Sequence, residues 1–313
     1  MTEPLQLLGS SGELLMAGHH VLPPLSIALV VGVLLPRALS RSHWPHRRPR
    51  LAVAVWNLLA SALTASVSLT ALRLVLSGVT ECGPLLPDGL PDAGTRMWVA
   101  LSAAAVAPAA FAAALARELV SAGRHRARHA ELLRLVGTRR PELRATVLQH
   151  ETPAVYCLPG RAPQVVISSG ALHVLAEQQL TAVLEHERAH IAGRHHLLTA
   201  AAVACGRTFR GLPLAESVRT EVPLLLEMAA DDRALRRCSR DALATALFAV
   251  ASGQAPDKAF AAGGPSAVLR MRRILAPHAT GSPAPRTVFV ALTAAAALIT
   301  LVLACCSVPG VTG

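Results

Sequence analysis

Four stretches of this chain carry no charged side chain: Val21–Pro36, Leu51–Leu72, Met97–Ala116 and Thr287–Cys306. A helix needs about 20 apolar residues to cross a bilayer. A spanning segment must satisfy every backbone polar group internally, so each of these runs is expected to be a transmembrane helix. The first is short, and Arg37 can snorkel from its end. Pro108 should kink the third. Hydrophobic residues make up 52% of the chain and aromatic residues only 3%. With a mean hydropathy of +0.45, this favours a polytopic membrane protein with an attached water-soluble part over a soluble fold with four buried helices.

The loops orient the spans. Arg37, Arg41, Arg47, Arg48 and Arg50 lie in or beside the first loop, Glu81, Asp88 and Asp92 in the second. A basic segment follows the third run, and Arg286 precedes the fourth. Under the positive-inside rule the N-terminus is outside, residues 117–286 are cytoplasmic, and the C-terminal end is outside. The first residues carry Glu3 and Glu13 and lack the basic start of a signal peptide. The expected location is the cell membrane, with several spans and a cytoplasmic catalytic part.

A net charge of +11 does not indicate nucleic-acid binding here. The basic residues follow the topology, and the aromatic interleaving of a single-strand binder is missing. The six cysteines form no CxxC pair, which argues against a disulfide framework or a cysteine metal cage. Cys82, Cys305 and Cys306 fall at or near the outer face. All three are expected to be reduced, with a disulfide from the second loop to the last span as the alternative.

The cytoplasmic segment carries the chemistry. Two short strands are expected at Ala154–Leu158 and Gln164–Ser168, the second as an edge to which an extended substrate could pair. A helix follows from Glu177 through the stretch "LEHERAHIAGRHH", and a second holds "EVPLLLEMAADDRALRRC", with Pro223 in its first turn. Gly253–Pro265 and Gly281–Arg286 read as loops or linkers.

His186, Glu187 and His190 form HExxH. Residues four apart share a helical face, so both imidazoles can reach one ion. Two neutral histidines suit zinc, which needs one more protein ligand and an open position. Glu187 is the candidate general base. Two third ligands compete. His196 would complete HExxHxxGxxH, with Gly193 turning the chain and Met228 in a downstream methionine turn. Glu227 would complete a His-His-Glu set, with Asp231 one helical turn on, hydrogen-bonding a ligand histidine. Glu227 is preferred, because "RHHLLTAAAVA" after Gly193 reads as continuing helix. His195 and His196 then lie on the polar surface near a helix end.

The run "AVYCLPGRAPQVVISSGAL…EQQLTAVLEHERAHIAGRHH…EMAADDRAL…RMRRIL" resembles the peptidase core of membrane gluzincins. It is most similar to the integral-membrane zinc metallopeptidases of the BlaR/MecR antirepressor type, and next to the HtpX and CAAX-protease group. The resemblance covers about Arg117 to Pro277. It implies one Zn2+ per chain held by His186, His190 and Glu227, with Glu187 catalytic, Asp231 supporting it, and a role for Arg270. The best-known members carry a large extracellular sensor after the last span. Only a few residues follow Cys306 here, so any signal is expected by another route.

The resulting expectation is a mostly α fold with four transmembrane helices and an α+β zinc peptidase domain between the third and fourth. Its parts are residues 1–116, 117–286 and 287–313. The expected function is zinc-dependent cleavage of a cytoplasmic protein, a transcriptional repressor by the resemblance. The alternatives are a quality-control protease for membrane proteins and a non-catalytic signal transducer. Expected partners are a protein or peptide substrate and the lipid bilayer, without direct nucleic-acid binding; a homo-oligomer is left open.

Overall fold

Long apolar helices dominate the chain. In this computed structural model, residues 21–81, 93–160, 162–253, 256–276 and 284–305 are described. Helix α1 spans Val21–Ser40 and winds as a π-helix over Val30–Leu34. The short α2, Trp44–Arg47, turns the chain into α3, Pro49–Glu81, and α4 runs over Ala93–Val136. Among the described residues, Val21–Ser40, Pro49–Leu76 and Met97–Val136 are long and apolar enough to cross a bilayer. The last described helix, Ala284–Cys305, contains a shorter apolar stretch, Thr287–Thr300. It meets α3 through the buried hydroxyls of Ser66 and Thr300, 3.3 Å apart. Such hydroxyl pairs hold apolar helices together where water cannot.

Helix α4 has 44 residues and is about 66 Å long, roughly twice the hydrocarbon thickness of a bilayer. It therefore continues unbroken past Ala116 into the basic segment. Pro108 lies inside it. Trp98 and Val106 on its apolar part are 72% and 65% exposed, as a lipid-facing surface would be.

Among the described residues, the strands form one small sheet of four, in the order β1-β2-β4-β3. They are β1 Gly137–Arg140, β2 Ala145–Leu148, β3 Val155–Leu158 and β4 Gln164–Ser168. β3 and β4 fall where the sequence predicts strands. β1 and β2 are unexpected: "GTRR" has no apolar alternation and pairs only because β2 offers a partner. The edge assignment needs correction. β4 pairs parallel with β2 and antiparallel with β3, so it is internal, and Val165, Val166 and Ile167 are buried. The edge beside it is β3.

Ser168 starts α5, Ser169–Val174, by accepting the Ala171 amide at 3.0 Å. Helix α6, Glu177–Ala192, starts with Gln179 Oε1 accepting the Ala176 amide at 2.9 Å. Three further expectations change. The chain does not continue as helix past Gly193. It turns at Gly193–Arg194 and restarts as α7, His195–Thr208, with Arg194 left-handed at φ 49°. Next, α8 begins at Pro213 rather than near Glu221 and ends at Ala234, which leaves Pro223 in its interior. Pro213 suits a first turn because it has no amide to satisfy there. Finally, after α9, Arg240–Gly253, the segment expected as a loop is helix α10, Pro256–Leu275. The last described helix is α11.

One core joins the membrane-type helices to the rest. Val31, Leu35 and Leu39 of α1 and Trp56, Leu59 and Leu63 of α3 cluster with Cys205 of α7 and Leu214, Val218, Val222, Leu225 and Met228 of α8. Met228 is fully buried in mid-helix, not in a methionine turn. A second core packs Val147 and Ile167 of the sheet against Val183 and Leu184 of α6. The sheet and the α7–α8 pair thus hold α6 from two sides. Cys82 and Cys306 lie outside the described residues.

Candidate metal centre

Helices α6 and α8 bring three ligand atoms together. His186 and His190 sit one turn apart on α6, and Glu227 faces them from α8. The two Nε2 atoms are 3.1 Å apart. Glu227 Oε2 lies 3.4 Å from His186 Nε2, and Oε1 lies 3.4 Å from His190 Nε2. A four-coordinate zinc bonded at about 2.0–2.2 Å keeps its ligand atoms about 3.3–3.5 Å apart. The trio is close to that spacing, and its donor chemistry fits the same ion.

Both histidines face a polar neighbour through Nδ1, which leaves Nε2 free to face Glu227. Asp231 Oδ1 is 3.0 Å from His186 Nδ1. On the other side, His195 Nδ1 is 2.9 Å from His190 Nδ1, with the rings edge-on at 85°. His195 reaches there only because the helix breaks. On an unbroken helix a residue five positions on lies about 140° around the axis. The turn at Gly193 folds the ring back over the glycine so closely that a Cβ there would meet His195 Nε2 at 2.3 Å. The left-handed Arg194 costs about 1–3 kcal/mol. His195 was expected on the polar surface; the structure makes it the support of His190. Removing such a partner costs about tenfold to hundredfold in metal affinity. His195→Ala is expected to weaken zinc binding by that factor, and Gly193→Ala to do so by displacing the ring. Competition against a chromophoric chelator measures both, and unchanged affinity in both would make His195 a bystander.

Arg270 of α10 ties the acidic groups down. Its Nε and Nη2 donate to Asp231 Oδ2 and Oδ1 at 2.9 and 2.8 Å, and Nη1 is 2.8 Å from Glu227 Oε2. Burial works to raise both carboxyls, but His186 and Arg270 outweigh it and hold Glu227 and Asp231 at about 2. Burial pulls His186 down, yet Asp231 and Glu227 together hold it up at about 9. Burial, with the neighbouring His186, His195 and Arg270, lowers His190 to about 4 against the pull of Glu227. A divalent cation at the trio would take over the charge balance that a proton on His186 otherwise supplies.

Glu187 lies between the two histidines on α6. Burial pushes its carboxyl above the usual range, while His186 and a hydrogen bond from Cys157 work to lower it. That thiol, on β3, is itself pushed up to about 12 by burial and by Glu187. A desolvated carboxyl with raised proton affinity is better suited to proton transfer near neutral pH than an exposed one. Cys157 carries no motif, and only the fold brings it to Glu187. His196, the rival third ligand, is not in the trio. Its side chain lines a cavity of about 470 Å³ that also contains His190, Glu227 and Cys157.

Residues 119–221 match the model of peptidase family M48. This is about a third of the chain; it contains His186, Glu187 and His190 and ends before Glu227. The match supports an M48-type metallopeptidase. With three helices able to cross a bilayer, it suggests a membrane-associated one. No curated protein and no solved structure matches the chain.

Proposed function

We propose that the chain is a membrane-anchored zinc endopeptidase whose catalytic part, residues 117–286, is cytoplasmic. The observation that carries this is the His186, His190 and Glu227 trio, with each histidine oriented through its second nitrogen and Glu187 beside it. Zinc held there would polarise a peptide carbonyl and make water acidic enough to attack at neutral pH. Glu187 takes the proton of the attacking water and passes it to the leaving amine. Asp231 and His195 keep the imidazoles in the required tautomer. Arg270 keeps Glu227 and Asp231 ionised and aimed.

An extended substrate segment pairs with the free edge of β3, Val155–Leu158, the strand whose Cys157 touches Glu187. Backbone pairing of that kind binds unfolded segments of many sequences. The resemblance to the BlaR/MecR type suggests a cytoplasmic repressor as the substrate, and α11 as a fourth span. The side of the membrane rests on the arginine-rich first loop and the acidic second loop.

Two measurements test this reading. Purified full-length protein should cut an unfolded protein, stop with a zinc chelator and recover on adding zinc. In intact cells an impermeant thiol reagent should label a cysteine at Asp88 but not one at Arg124. The reverse labelling would put the catalytic part outside and remove the repressor as a substrate.

A further inference from the structure

The cavity beside the His186, His190 and Glu227 trio has a second wall, away from those side chains. Helix α4, running on from its apolar part, lines it with Glu118, Ala122 and Arg126, which share one helical face. Glu118 is ion-paired with Arg207. Arg126 is half-buried and pairs with no carboxylate among the described residues. On the α7 wall of the same cavity, His196 presents a half-buried imidazole. Much of the remaining lining is apolar, including Pro159, Val203 and Leu226.

A half-buried guanidinium with no carboxylate beside it offers its donor fork to an incoming anion, and the imidazole on the α7 wall can offer a further N–H. One group suits both side chains. A carboxylate accepts two hydrogen bonds from the guanidinium fork and can accept another from an imidazole N–H. The cavity also reaches His190 and Glu227, so a group bound there belongs to the molecule being cut. We infer that this cavity is a subsite for a carboxylate of the substrate, held by Arg126 and His196. The inference rests on the peptidase reading for what fills the cavity. The carboxylate can come from an Asp or Glu side chain or from a chain terminus; the chemistry is shared, and the test separates the sources.

The test uses full-length, zinc-loaded Glu187→Gln in a neutral detergent, so that peptides bind without being cut. Three labelled peptides differ at one position, Glu, Gln or Lys, and end in an amide. A fourth is the Gln peptide with a free C-terminus. Hydrogen bonds to charged groups predict about tenfold tighter binding of the Glu peptide than of the Gln peptide, with the Lys peptide weaker still. Added to the same protein, Arg126→Glu should reverse the order, and His196→Ala should weaken only the Glu peptide. Tightest binding of the free-terminus peptide, lost in Arg126→Glu, also supports the subsite and identifies the terminus as the source. Zinc content and a single elution peak confirm that each variant is folded. Equal binding of all peptides, an order that survives Arg126→Glu, or no binding by a folded protein overturns the inference. If the wild type cuts none of the peptides while the charge preference holds, the peptidase reading fails and the subsite stands.

Discussion

Glu227→Ala is expected to abolish stoichiometric zinc binding, while His196→Ala leaves it intact. The two variants separate the two ligand sets that the sequence allows. Glu227 faces both Nε2 atoms at 3.4 Å, whereas His196 lies in the adjoining cavity outside the trio. Losing a ligand should cost more than the about tenfold to hundredfold loss that follows removal of a ligand's hydrogen-bond partner. The fold should survive, because Arg270 keeps its two bonds to Asp231 and no buried cation is stranded. Metal analysis after dialysis, with a melting curve to confirm folding, checks both variants. Zinc retained in Glu227→Ala and lost in His196→Ala would reverse the assignment.

The second large effect is at Glu187. Glu187→Gln should keep zinc and lose about 10²–10⁴-fold in turnover, the usual worth of a positioned general base. Glutamine preserves the size of the side chain and an acceptor for the Cys157 thiol, so the loss isolates proton transfer. Burial raises the Glu187 carboxyl above its ordinary range, which suits a group that must both take and release a proton. Near wild-type cleavage by the Gln variant would mean that another group is the base. It would also reopen the reading of the protein as a signal transducer that does not depend on turnover.

The residues of the candidate trio could be read from the sequence because they and Asp231 come as two pairs, each within one helix. His186 and His190 are one turn apart, as are Glu227 and Asp231, and a four-residue spacing carries its geometry with it. The parts that escaped depend on chain breaks or on distant elements. Gly193 reads as a tolerated glycine in a good helix, yet the chain turns there, and the turn lets His195 fold back onto His190. Arg270 is 39 residues from Asp231, on a helix whose first half looks like a loop. Its bonds to both carboxylates require the tertiary fold, and the resemblance alone pointed to it. β3 and β4 show in the apolar patterning, but which of them is the edge depends on β2, whose four residues are too few to announce a strand. The apolar runs were plain in the sequence. What they did not show is that α1 and α3 form one core with the α7–α8 pair, so α8, which carries Glu227, is braced against the long apolar helices.

X-ray absorption at the zinc edge of the full-length, zinc-loaded wild type addresses the coordination most directly. It should resolve two imidazoles together with oxygen ligands at about 2.0–2.2 Å, and the scattering pattern should be unchanged in His196→Ala. Three imidazoles around the zinc, with one lost in His196→Ala, would contradict a His186, His190 and Glu227 centre.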